Sequence, residues 1–454
     1  MQHHDTICAL SSAPGRAGVA VVRVSGPLAT QTIQRLIAGV MPPARRAALR
    51  TIRTPETGEE IDRAIILRFA GPSSFTGEDV CEIHLHGGRA VVASVLAALV
   101  RLGCRLAEPG EFARRAFENG KIDLSQAEGL ADLIDAETEA QRVQALRQAG
   151  GGLAKLTEGW RQELITALAL FEAAIDFSDE GDVGTQAEDQ ARAIIADLAA
   201  RIGAHLADGR RGEILREGFQ VVLAGPPNVG KSSVLNALAR RDAAIVSPEP
   251  GTTRDLIEVR LDLEGLPVIV TDTAGIRAAV GSIEQEGIRR TLERGGQADV
   301  VVWVMDARAP ETELPAELAG GPERVIRVMN KVDLVPAVAG DRTSGPSPHG
   351  GWRGDVPISA VTGKGLTELV ARIAAAARDR IGSGDGAVIT QARHRAALED
   401  CRAGLQDALR PDLHEVELRA EDVRRAVQAL GRITGRVDAE MVLDQVFGRF
   451  CIGK

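Results

Sequence analysis

Apolar residues cluster or alternate between Gly and Pro punctuation at Val19–Val24, Ala64–Phe69 and Val80–Leu85, which predicts strands of a small α+β domain over residues 1–120. From Leu124 the period changes. Ala127, Leu130, Ile134, Val143 and Leu146 recur mostly three or four apart, so residues 121–217 read as long amphipathic helices. Strand and helix alternate from Phe219–Ala224 to about residue 380, as in a doubly wound α/β domain over 218–380. Helical texture returns over 381–454, with Ala396, Leu398, Leu405, Ala408, Val427, Leu430, Met441 and Val446 as apolar positions. Neither helical part can bury its stripe alone. Together they predict one bundle into which the α/β domain is inserted. Pro336–Asp355, rich in Gly, Pro and Ser, reads as a surface loop.

Composition narrows the setting. At 454 residues a multidomain chain is expected. No apolar run approaches the ~20 residues of a membrane span, and no secretory segment is present. Cys8, Cys81, Cys104, Cys401 and Cys451 are scattered without a CxxC pair, which favours a reducing cytoplasm. The net charge of −9 opposes loose binding of nucleic acid, so any RNA contact needs a local basic patch or a helper protein.

The strongest chemical signal follows the strand at 219–224. Gly225–Ser232 reads GxxxxGKS, a phosphate-binding loop in which Asn228, Val229, Gly230, Ser232 and Ser233 offer backbone N–H groups, Lys231 reaches the β/γ oxygens and the Ser232 hydroxyl ligates Mg²⁺. Downstream, Asp272-Thr273-Ala274-Gly275 ends a strand, with Asp272 placed for the Mg²⁺ shell and Gly275 for the γ-phosphate. Asn330-Lys331-Val332-Asp333 ends another: Asp333 would accept from guanine N1–H and its amine while Lys331 covers the ring, and Ser359-Ala360 closes the base pocket. Ser247-Pro248-Glu249-Pro250-Gly251-Thr252-Thr253 occupies the switch position, with Thr253 as the second Mg²⁺ ligand. Any one motif could be an ordinary turn or helix cap. Four in order indicate GTP.

The hydrolytic step departs from the Ras pattern, because Ile276 stands where a glutamine would orient the attacking water. An acid of Ser282–Gly287 could replace it, or that stretch is only an exposed helix start. Positive charge at the transition state could come from Arg254 or Arg277, or from a monovalent cation held by Asn228 and carbonyls of 247–250.

The chain resembles the tRNA-modification GTPase family MnmE, also called TrmE, over essentially its whole length. The resemblance is carried by Asp5–Ile7, Pro14–Val19, Arg23–Gly26, Phe75–Val80, His86–Gly88, Pro109–Phe112, Ala116–Lys121, Asp132–Asp135, the GTPase motifs and the terminal Cys451-Ile452-Gly453-Lys454. It implies a cytoplasmic homodimer whose N-terminal domain binds a tetrahydrofolate one-carbon donor, 5,10-methylene or 5-formyl, through Arg23, Glu82, Lys121 and Lys454. It further implies potassium-stimulated GTP hydrolysis, with K⁺ ligands Asn228, Ser247, Glu249 and Thr252 and Glu284 as the water-orienting acid. The implied function is installation of a carboxymethylaminomethyl or aminomethyl group at carbon 5 of the wobble uridine of certain tRNAs, together with the FAD-containing partner MnmG. Cys451 is then either a thiol nucleophile or a terminal cysteine without a role.

Other features read as inert: His84 and His86 share a strand face without a third metal ligand, and Arg114-Arg115 is a tRNA contact or, more simply, a solvated helix face. The competing function is a ribosome-assembly or RNA-chaperone GTPase. Against it, the N-terminal segment is expected to carry the Arg23/Glu82/Lys121 pattern and no basic cluster.

Overall fold

The computed structural model describes residues 5–176, 181–208, 210–241, 243–245, 258–272, 298–309, 325–335, 356–382, 389–411, 415–437 and 440–453, with backbone alone at 181–183, 440–442 and 445. Two compact units emerge, one of Met1–Ala131, Arg147–Ala199 and Ala397–Lys454, the other of Asp132–Leu146 and Ala200–Ala396. The chain is multidomain, with an N-terminal domain, helical segments and an α/β domain. Among the described residues no helix is long and apolar enough to cross a membrane.

In the first unit, strands β1 (Ile7–Leu10), β2 (Ala17–Ser25), β3 (Ala48–Arg53), β4 (Glu60–Phe69), β5 (Val80–Gly87) and β6 (Arg105–Leu106) form a sheet ordered β3-β4-β5-β2-β1-β6. All its pairings are antiparallel except β1 with β6. The two-residue period sends Val22, Val24, Cys81, Ile83 and Leu85 into a core shared with helices α1 (Ala29–Leu36) and α2 (Arg89–Arg101). The opposite face is left with Arg23, Glu82 and His84, while Ile7 and Ala9 pack there under Phe112 of α3 (Glu111–Glu118).

Helices α4 (Leu124–Asp135), α5 (Glu139–Ala149), α6 (Gly152–Asp176), α7 (Gly181–Leu206) and α8 (Arg211–Glu217) follow. Along α6 the buried residues Leu153, Thr157, Trp160, Leu164, Ala167, Phe171 and Ala174 keep the helical period. Near the C-terminus, Leu443, Val446 and Phe447 pack with Phe450 on Ala113, Leu124 and Ala127. The last residues then pair back: Ile452 bridges Pro109, and the Ser11 hydroxyl donates to the Gly453 carbonyl at 2.7 Å.

The second unit holds β7 (Phe219–Ala224), α9 (Lys231–Ala239), β8 (Glu258–Leu263), β9 (Leu266–Asp272), β10 (Val300–Asp306), β11 (Val325–Asn330), β12 (Val356–Pro357) and α10 (Leu366–Ile381). Its sheet runs β12-β11-β10-β7-β9-β8, parallel except for β8 against β9. β10 is apolar and buried from Val300 to Met305, as expected of a strand covered on both faces. Residues 132–146 belong here through the ion pairs Asp132–Arg216 (2.7 Å) and Glu137–Arg260 (3.0 Å) and through the Ala140 N–H on the Gly265 carbonyl (3.2 Å). Helices α11 (Ala392–Ala408), α12 (Val416–Thr434) and α13 (Glu440–Phe447) complete the described chain.

Candidate functional site

The phosphate-loop motif sits where a doubly wound sheet places ligands, at the carboxyl end of the central strand β7. Gly225 has φ +140°, and a Cβ there would stand 2.2 Å from the Val304 carbonyl oxygen, so only glycine lets the loop leave the strand. Gly230 has φ +96°, and its Cβ would meet Asn330 Nδ2 at 2.5 Å. Asn228, at φ +62°, takes the left-handed conformation that Asn tolerates best among residues with a Cβ.

Lys231 opens α9 and folds its ammonium back over the loop, donating to the Gly225 and Pro226 carbonyls at 2.8 and 2.9 Å. Burial pushes its pKa below the ordinary lysine value, and the Asp272 carboxylate offsets part of that shift. The Ser232 hydroxyl donates to Asp272 Oδ2 at 2.5 Å, joining the two residues expected to share the Mg²⁺ shell. Val229 is buried in the core, whereas Asn228, Ser232 and Ser233 are exposed.

The base-side residues form a second linked set. Asn330 is buried, donates from Nδ2 to the Val229 carbonyl at 2.9 Å and accepts the Ala360 N–H on Oδ1 at 3.1 Å. One amide therefore ties the phosphate loop to the 359–360 segment. Ser359 is fully buried and accepts the Thr362 N–H at 3.1 Å. Lys331 donates to the Asn228 carbonyl at 2.6 Å and to Asp306 Oδ2 at 2.8 Å, while Asp333 lies exposed in the 3-10 turn Val332–Leu334.

No motif in the sequence marks Asp306. Its carboxyl is held far below the usual carboxylate range, first by Arg308 and then by Lys331. The available signal was positional, an acid ending an apolar strand on the ligand side of the sheet.

Ser247, Pro248, Glu249, Pro250, Gly251, Thr252, Thr253, Arg254, Thr273, Ala274, Gly275, Ile276, Arg277, Glu284 and Lys454 lie outside the described residues. So does the loop 336–355. Of the expected K⁺ ligands only Asn228 is described, and of the Mg²⁺ ligands Ser232 but not Thr253.

A second constellation lies on the open face of the N-terminal sheet. Arg23 on β2 and Glu82 on β5 are register partners, and Arg23 Nε and Nη2 donate to Glu82 Oε1 at 3.1 and 2.9 Å. The Arg23 guanidinium lies 6.0 Å from the Phe75 ring centre and 5.6 Å from that of Phe112, within cation–π reach of both rings. Lys121 is exposed, and its Cε lies 3.0 Å from where a Cβ on Gly77 would stand, beside the same 75–80 loop. Cys451 is exposed, whereas Cys8, Cys81, Cys104 and Cys401 are buried.

His84 Nε2 lies 3.4 Å from Glu82 Oε2, and His86 pairs with Asp62 at 2.7 Å. Among the described residues no group of three His, Cys, Asp or Glu side chains could hold a metal ion. Arg115 requires a correction. Far from facing solvent, it is fully buried, with Asp5 at 2.8 Å, Glu111 at 2.9 Å and Glu78 at 3.2 Å around its guanidinium. Arg114 is the half-exposed member, paired with Glu118 and Asp444.

Known proteins resemble the chain in sequence. A family described as "MnmE helical domain" matches residues 124–451, and one described as "GTP-binding protein TrmE N-terminus" matches residues 6–121. The tRNA modification GTPase MnmE of Methylobacterium sp. (strain 4-46) is 53% identical over 454 residues, covering 99% of this chain and 100% of that protein. The protein of the same name from Methylobacterium radiotolerans is 52% identical over 459 residues, covering 100% of each. Among solved structures, the G domain of the T. maritima FeoB iron transporter is 30% identical, covers 35% of this chain and 98% of its own, and has a TM-score of 0.26.

Proposed function

The chain belongs to the MnmE family of tRNA modification GTPases, and from that premise we propose that it is a potassium-stimulated GTP hydrolase that modifies carbon 5 of the wobble uridine of certain tRNAs. It acts as a homodimer with the FAD-containing partner MnmG and draws a one-carbon unit from tetrahydrofolate. The observation that carries the hydrolase reading is the linked loop at 225–231, where Lys231 and Asn330 are already drawn onto the main chain that would wrap the phosphates.

Lys231 exchanges its two carbonyl partners for β- and γ-phosphate oxygens. Ser232 and Asp272, a hydroxyl and a carboxylate in contact, have the donor set to hold Mg²⁺. Asn228, Ser247, Glu249 and Thr252 would hold K⁺, the main chain of 247–253 and 273–275 would complete the GTP envelope, and Thr253 would complete the Mg²⁺ shell. Bound there, the cations would supply positive charge against the charge that builds between the β and γ groups. Glu284 orients the attacking water in place of the glutamine that Ile276 displaces, and Asp333 reads guanine through its N1–H and amine, beside Ser359 and Ala360.

On the N-terminal sheet, the Arg23–Glu82 pair, with the Phe75 and Phe112 rings near Arg23, suits a pterin, which presents a flat π face and an edge of donors and acceptors. Lys121 and Lys454 match a glutamate tail by charge. The return of the tail to Ser11 and Pro109 supports a role for exposed Cys451 as the thiol nucleophile toward the uracil ring.

The test is mass analysis of tRNA from a strain lacking the protein. The carboxymethylaminomethyl or aminomethyl group should disappear from the wobble uridine and return with the wild-type chain, and an unchanged modification profile overturns the reading. For the engine, sodium in place of potassium should slow turnover strongly with little change in GTP affinity. Glu284→Ala should lower kcat and leave nucleotide binding nearly intact.

A further inference from the structure

A chain of net charge −9 that acts on tRNA needs a place where phosphates are welcome. The expectation that the N-terminal segment holds no basic cluster fails on a simple count. From Thr6 to Pro55 there are seven arginines, Arg16, Arg23, Arg35, Arg45, Arg46, Arg50 and Arg53, and not one Asp or Glu.

The fold gathers five of them at one border. β3, which carries Arg50 and Arg53, is the edge strand of the sheet. Arg45 and Arg46 lead into it, the Arg45 N–H donating to the Arg68 carbonyl at the end of β4 at 2.7 Å. Arg35 ends α1, and the chain after it runs along the same edge through the Ile37–Ile52 bridge and the Ala38 N–H on the Thr51 carbonyl at 2.9 Å. Arg35, Arg45, Arg46 and Arg53 are exposed.

What these guanidinium groups touch decides their charge. Arg45 donates to the Ser73 carbonyl, Arg50 to those of Val40 (3.0 Å) and Leu49 (2.9 Å), and Arg53 to that of Gly58 (3.3 Å). Carbonyls hold an arginine in place without neutralising it. The carboxylates of the adjoining hairpin are engaged elsewhere, Glu56 by Arg101, Glu60 by Arg63 and Asp62 by His86, with Glu59 at the tip. Charge on an edge strand also deters sheet-to-sheet pairing. One or two residues suffice for that, and it does not explain a run of five with no intervening acid.

We propose that this arginine-lined β3 edge is a docking surface for the phosphodiester backbone of tRNA. The proposal rests on tRNA being the substrate of the family reaction, and it concerns positioning rather than sequence reading, since phosphate contacts carry no base information.

The experiment measures binding of unfractionated tRNA to the full-length protein over a series of salt concentrations. Arg35 and Arg46 make no side-chain bond among the described residues, so Arg35→Gln/Arg46→Gln should fold normally. For two lost phosphate contacts the slope of log K against log[salt] should shrink by about 1.4–1.8, with affinity down about tenfold at moderate salt. Arg46→Lys should keep most of the binding, because a point charge still serves a phosphate. An unchanged slope and affinity in the double variant overturn the proposal. So does a shift in oligomeric state with tRNA binding intact, which would assign the arginines to edge protection or to a contact between copies. If wild-type protein restores the wobble modification while the double variant binds as wild type does, the surface alone fails; if wild type restores nothing, the functional reading fails first.

Discussion

At the nucleotide loop the side chains are held by main chain, with Lys231, Asn330 and Lys331 all donating to carbonyls of residues 225–229. On the N-terminal sheet the opposite holds, since Arg23, Glu82 and His84 engage one another and the rings of Phe75 and Phe112 through side chains. A main-chain site depends on a few local conformations and travels as a short motif. A side-chain site depends on register between distant strands. The two should therefore fail independently and in different ways.

The largest effect should come from Lys231→Ala, which removes the cation that meets the phosphate charge. GTP turnover should fall by about a thousandfold or more in a phosphate-release assay. Binding of 5-formyltetrahydrofolate by calorimetry should not change. If both activities fall together, the two sites are not separately built.

Gly225→Ala probes the main chain directly. The added Cβ meets the Val304 carbonyl oxygen and the residue must keep φ +140°, so the loop has to leave its place at the strand end. A stability loss of about 2–4 kcal/mol and at least tenfold weaker GTP binding are expected, read from denaturant unfolding and nucleotide titration. A wild-type nucleotide affinity in this variant would show that the loop is not held as rigidly as its contacts imply.

Arg23→Gln makes the matching cut in the other site. It strips Glu82 of its charged partner and the two rings of their cation, while the core face of β2 stays untouched. Affinity for 5-formyltetrahydrofolate should fall about tenfold to a hundredfold, in line with hydrogen bonds to a charged group, and GTP turnover should hold. Unchanged folate affinity would remove the pair from the site.

The same contrast governs what could be read from the chain. Gly225–Ser232 and Asn330–Asp333 are legible because each is a short run of fixed residue types at the carboxyl end of an apolar strand, although the fold is needed to show Asn330 and Lys331 reaching the carbonyls of Val229 and Asn228. Asp306 was not, because a single acid after an apolar run resembles any strand end until Lys331 is seen against it. Arg115 was misread for a related reason. Two adjacent arginines on a helix suggest a wet face, and only the fold brings Asp5 and Glu78 from 110 and 37 positions away to bury one of them. The basic β3 edge is hidden by the overall charge, because −9 averages over a segment, Thr6–Pro55, that contains no acid at all.

Asp306→Asn should give the smallest change and the finest test of the nucleotide site. Its carboxylate steadies Lys331, whose second anchor, the Asn228 carbonyl, survives the substitution. GDP dissociation should quicken by a few fold, about 1 kcal/mol or less, seen with a fluorescent nucleotide. The pH dependence sets the sign. Arg308 and Lys331 lower the Asp306 pKa from its ordinary 3.8, so the anchor is fully present above that value and is lost only as pH falls through it and beyond. Wild-type dissociation governed by this contact should be flat from about pH 5 to 8, and the increment caused by Asp306→Asn should be equally constant there. An increment that vanishes toward pH 5 would mean the carboxylate is already protonating, and that Lys331 takes its position from the main chain alone.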